Sequence, residues 1–172
     1  MERLLASLTL ASACFLFASF GLAQNSPPGA GASLKGKIVS AHATGTFEVK
    51  VTPQPSSESP ADPDLGRMTI EKQFHGALEG TSKGQMLTAG NPAKGSAGYV
   101  AIEKVTGTLD GRHGSFILQH NATINHGIFE MNIIVVPDSG TDQLVGLSGK
   151  MTIIITDGKH SYDFEYTLPA AQ

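Results

Sequence analysis

From residue 41 to residue 168, apolar and polar residues alternate in short runs rich in Val, Ile, Thr, Phe and Tyr. No run keeps helical spacing for three turns, so the pattern is that of strands. Eight runs qualify, at 41–51, 68–78, 84–89, 99–109, 115–124, 128–136, 150–156 and 161–168. Between them, Asp110-Gly111, Asn125-His126-Gly127 and Asp157-Gly158 each set a residue tolerant of positive φ beside Gly, which a tight antiparallel reversal requires. Strands adjacent in sequence should therefore be adjacent in the sheet. An open sheet of eight antiparallel strands would leave long unpaired edges. The predicted fold is all-β, a small closed antiparallel barrel of about eight strands, with a bore that fits side chains or one small ligand.

The clearest block is GTLDGRHGSFILQH at 107–120, a glycine-rich turn running into an alternating strand, with shorter echoes in GALEGTSKG and VGLSGK. Two other strands are apolar on both faces. Met131, Ile133 and Val135 alternate with Ile134 and Val136, and Met151, Ile153 and Ile155 alternate with Ile154. A simple barrel covers one face only, so the outer residues call for a packed terminal segment or a homo-oligomer interface.

The chain has 172 residues, 40% of them hydrophobic, enough for one core and one domain. Its first 23 residues read as a signal peptide: Arg3, an apolar stretch from Leu4 to Phe20, then Gly21-Leu22-Ala23 as the exit. Such a stretch is marginal for spanning a bilayer, so a periplasmic or secreted protein with no membrane span in the mature chain is expected. The single cysteine, Cys14, lies in this stretch. A lipidated Cys14 is the alternative, but Ala11 stands where lipobox signals usually carry Leu, and the apolar run continues beyond it. Residues 24–39 read as a flexible tether, 40–172 as the barrel domain, and 53–64, with four of the nine prolines, as a long loop. The formal charge of −3 supplies no positive field for nucleic acid. Asn121-Ala122-Thr123 matches an N-glycosylation acceptor, a short and unspecific pattern.

Four segments, AHATGTFEVK at 41–50, KQFHGALEG at 72–80, the 107–120 block and VVPDSGTDQLVGLSGK at 135–150, resemble in order the bacterial domain of unknown function numbered 3224. The resemblance implies a barrel similar to allene oxide cyclases, calycin-like in shape with a central cavity, and no established activity. The family carries Trp just before the VVP segment, where this chain has Ile133-Ile134. That departure weakens any ligand role at this position.

The chemistry-bearing residues are sparse. There is no GxSxG, no phosphate loop, and no cysteine outside the leader, so nucleophilic catalysis has no recognisable elbow. His75, His113, His120 and His126, with Glu79, Glu103 and Asp110, lack the close spacing of metal motifs, and neither metal nor cofactor is expected. Strand parity aligns His75 with Glu79, Tyr99 with Glu103, and Ser115 with Gln119. If those faces line the lumen, His75, Glu79, Tyr99, Glu103 and Gln119 form a polar set that orients a ligand. The opposite register puts Phe74, Leu78, Val100, Ile102, Phe116 and Leu118 inside, and burial energy favours it at about 1.5–3 kcal/mol per large apolar side chain. The functional expectation is an exported binding module holding a small apolar ligand in the lumen. The alternatives are a cyclase or isomerase-type enzyme steered by Tyr99 and Glu103, and an interaction protein acting through the strands around Ile133 and Ile153. The parity of the 99–109 strand separates a filled core from a polar pocket.

Overall fold

The computed structural model describes residues 38–55 and 64–169. The leader, the tether, Cys14 and most of the proline-rich loop lie outside the described residues. All eight predicted strands are present: β1 Ile38–Gln54, β2 Leu65–Gly76, β3 Leu78–Asn91, β4 Ser96–Leu109, β5 Arg112–Asn125, β6 Ile128–Val135, β7 Ser148–Thr156 and β8 Lys159–Pro169. Each pairs antiparallel with the next, and β8 returns to β1 to close the barrel. Positive φ values fall at Asp110-Gly111, His126-Gly127 and Asp157-Gly158, the residues that the turn chemistry singles out.

The bore is filled from one end. Phe47, Phe74, Phe116, Tyr162 and Phe164 are buried, Phe74 meeting Tyr162 edge-on at 5.7 Å and Phe116 stacking on Phe164 at 5.7 Å. Room for these rings comes from one register row, Phe74–Gly80–Gly107–Gly114, in which three of four inward positions carry no side chain. There the strands approach so closely that a Cβ on Gly107 would stand 2.2 Å from the Glu79 carbonyl oxygen. The same end is tied by hydroxyls. Tyr162 Oη accepts from the Leu78 amide at 2.8 Å, and Tyr166 Oη donates to Asp110 at 2.5 Å. Burial and then this contact push the Tyr166 phenol up to about 12.

The β6–β7 connection, residues 136–147, lies along the first half of β5 in place of a strand. Ser139 and Thr141 hydroxyls accept from the Ile117 and Ser115 amides at 3.0 Å each, and the Gln143 side chain accepts from the His113 amide at 2.8 Å. Leu144 and Leu147 follow it into the core. Backbone donors of β5 left without a strand partner are thereby satisfied. Beyond it, β6 and β7 pair only at Ile133–Met151 and Ile134–Lys150. Ile134 on β6 and Val136 just after it are partly buried, whereas Ile154 and Ile155 on β7 are exposed.

Gly107→Ala should lower stability by about 1–3 kcal/mol, since the strands must part to admit the methyl. Gly98→Ala, whose Cβ would meet nothing nearer than 3.6 Å, should leave stability equal or slightly raised. Urea unfolding of both variants checks the contrast, and equal effects would contradict it.

Candidate functional site

Burial alternates cleanly along β4: Ala101, Glu103 and Val105 are buried, while Val100 and Ile102 are exposed. The β4 parity thus turns Tyr99 and Glu103 inward and corrects the apolar register, which had Val100 and Ile102 inside. On β2, β3 and β5 the apolar register holds, with Phe74, Leu78, Phe116 and Leu118 buried. The proposed polar set is therefore divided. His75 and Glu79 face solvent, where His75 lies 3.1 Å from Glu79 and 3.2 Å from Glu48. Gln119 also faces outward.

Glu103 is held inside by partners that single-strand alternation does not reveal. Lys72 on β2, Ser82 on β3 and His120 on β5 are all buried. Lys72 Nζ donates to Glu103 Oε2 at 2.8 Å, Ser82 Oγ donates to Oε1, and His120 Nε2 stands 2.9 Å from Oε2. That histidine nitrogen has no well-aligned hydrogen-bond partner among the described residues. The four residues lie on a diagonal. Lys72 is opposite Ser82, which faces Val105, two places past Glu103; Glu103 faces Leu118, two places before His120. Strand tilt in a closed barrel brings such diagonal neighbours together. Gly84, opposite Glu103, lets β3 and β4 approach closely there, since a Cβ would lie 2.9 Å from the Glu103 Cα. Lys72 Nζ also sits 5.0 Å from the Phe47 ring centre and 5.6 Å from that of Phe74.

Burial alone would raise the Glu103 carboxyl, but the His120 contact and the Lys72 charge outweigh it and hold the group down at about 2. Tyr99, one inward step beyond Ala101, is pushed up by burial and by Glu103. Its hydroxyl reaches Met131 Sδ at 3.5 Å. Lys72 and Ser82 escaped the sequence reading. The signal for Lys72 was its place in the inward alternation Ile70–Lys72–Phe74, where a cation requires a buried counter-charge.

The open concavities lie on the outer face, next to this cluster. A groove of about 810 Å³ crosses the outer face of β2–β5, lined by Leu65, Arg67, Leu87, Val100, Ile102 and Gln119 among others. A neighbouring one of about 750 Å³ shares Leu65, Leu87 and Val100 and extends to Glu130 and Asn132. Lys72, Ser82 and Glu103 line neither, whereas His120 borders the larger one. Leu65, Leu87, Val100 and Ile102 are 60, 57, 54 and 51% exposed, so four large apolar side chains face solvent together. Among the described residues, no three His, Cys, Asp or Glu converge as metal ligands, and no helix is long and apolar enough to cross a membrane.

A closed eight-stranded meander with a charged diagonal in a packed bore defines the class: a small antiparallel β-barrel protein. The chain belongs to the family described as Protein of unknown function (DUF3224), which it matches over residues 43–166. A solved structure from that family, a protein with unknown function from Shewanella oneidensis MR-1, is 44% identical, covers 78% of this chain and all of its own, and superposes with a TM-score of 0.69. No curated protein matches.

With its carboxyl at about 2 in the fold and 4.5 as the ordinary value, Glu103 contributes stability that is fully present above pH 4.5 and is lost as pH falls toward 2. The shift corresponds to about 3 kcal/mol. Glu103→Gln should lose a similar amount at neutral pH and flatten the acid limb of a stability-against-pH curve from urea unfolding. An unchanged acid limb would remove Glu103 as its source.

Proposed function

We propose that this protein is a binding module that holds a small, mostly apolar ligand in the groove across the outer face of β2–β5. The observation that carries the reading is the group Leu65, Leu87, Val100 and Ile102, exposed side by side on one concave surface. Soluble proteins seldom leave so contiguous an apolar surface open without using it. The groove's volume falls in the range of small-molecule sites, and an apolar floor with amide groups from Gln85, Gln119 and Asn121 at hand suits one ligand with limited polarity. The outer groove is favoured over the lumen because rings fill one end of the bore and the carboxylate within it already has Lys72, Ser82 and His120 around it. For the same reason the cyclase or isomerase reading is the weaker one, although Tyr99 and Glu103 do face inward. Export through the N-terminal leader belongs to the same proposal and fits a module that meets its ligand outside the cytoplasm.

Fluorescence titration with an environment-sensitive apolar dye tests the site. Val100→Asp should weaken binding at least about tenfold, because a carboxylate is placed on the apolar floor. Ser82→Ala, at a buried position that lines neither groove, should leave binding unchanged. The reverse pattern would return the ligand to the lumen.

A further inference from the structure

We infer that the ligand of this groove is an acidic lipophile, an apolar chain ending in a carboxylate or similar anion that lies against Arg67. The inference rests on the reading of the groove as a ligand site and names the chemistry of what enters it. Arg67 is the only Lys, Arg, Asp or Glu lining the larger groove among the described residues. Next to Gln54, it opens the stretch Arg67–Leu87–Val100–Asn121 of a register row, which runs across four adjacent strands. Three inter-strand steps make this stretch roughly 14 Å long. A chain laid along it passes from guanidinium to Leu87 to Val100, with Ile102 and Leu65 flanking. Arg67 Nη2 reaches Gln85 Oε1 at 3.5 Å, a long contact that leaves the planar fork able to turn toward a stronger acceptor. A guanidinium meets a carboxylate through charge-assisted, often paired hydrogen bonds, which neither an alcohol nor an ammonium can reproduce. Glu130, the acidic residue among those lining the neighbouring groove, stands at the opposite side from Arg67. A reversed ligand would bring its anion toward that carboxylate. Charge therefore sets both the class of ligand and its direction.

A concave face does not complement a second copy of itself, so a slender guest suits it better than a dimer. The test is displacement of a neutral apolar dye from the full chain by dodecanoate, dodecanol and dodecylamine at equal salt, with sedimentation on the same samples. Dodecanoate should displace the dye at about tenfold lower concentration than dodecanol, and dodecylamine should be weakest. In Arg67→Gln the advantage of dodecanoate should vanish while dodecanol is unaffected, and raising salt should shrink the advantage in the parent protein. Equal displacement by acid and alcohol, or an acid preference that survives Arg67→Gln, overturns the inference and leaves the groove reading standing. If neither compound displaces dye, or Val100→Asp leaves both bound, the groove reading falls and the inference with it. A stable dimer that Val100→Asp dissociates would make a second copy the occupant and overturn the ligand assignment as well.

Discussion

An eight-stranded barrel closed by β1 against β8 has a fixed and narrow bore, and every inward side chain must share it. The rings of Phe47, Phe74, Phe116, Tyr162 and Phe164 take much of that volume. They fit because Gly80, Gly107 and Gly114 contribute no side chain in the row beside Phe74. Closure thus determines where glycine is required and why the interior is solid at one end. It also determines where a ligand can go. With the bore occupied, the open concave surface is on the outside, where the strands carry Leu65, Leu87, Val100 and Ile102.

The same bore encloses a charge. Removing a carboxylate and an ammonium from water costs several kcal/mol each, and their attraction repays this only when geometry is good and remaining lone pairs are satisfied. Glu103 meets that condition through Lys72, Ser82 and His120, drawn from three other strands. A one-residue slip of any of these strands would turn its partner to the outer face. The diagonal therefore acts as a register lock: it disfavours mispaired barrels as well as stabilising the correct one.

Most of the fold was legible in the residues. Period-two alternation and the Asp-Gly or His-Gly reversals identify eight strands and the β4–β5, β5–β6 and β7–β8 hairpins, because both are local consequences of backbone geometry. The β2–β3 reversal at Gly76-Ala77, however, falls inside the run read as one strand at 68–78. Several strands extend further than the alternation suggests, most of all β3, which begins at Leu78 where the pattern starts at 84, while β2 stops at Gly76, two residues short of the run read to 78. Its glycines and small residues carry little hydrophobic signal there. The 136–147 connection was not legible, since its hydroxyl and amide side chains replace a strand's backbone partners only after the chain has folded against β5.

The candidate site was legible by half. Alternation says that Tyr99 and Glu103 share a face and that Val100 and Ile102 share the other. It does not say which face is inside, and the local burial energy of two β-branched residues pointed the wrong way. Sequence alone determined the strands, three of the tight turns, the order of the sheet and the family, because these depend on neighbours along the chain. Tertiary structure alone decided that Glu103 is inside and that the apolar side of β4 meets water. The physical reason is that a buried carboxylate becomes tolerable only when Lys72, Ser82 and His120 reach it across the tilt of the closed barrel, a distance measured across strands and not along them.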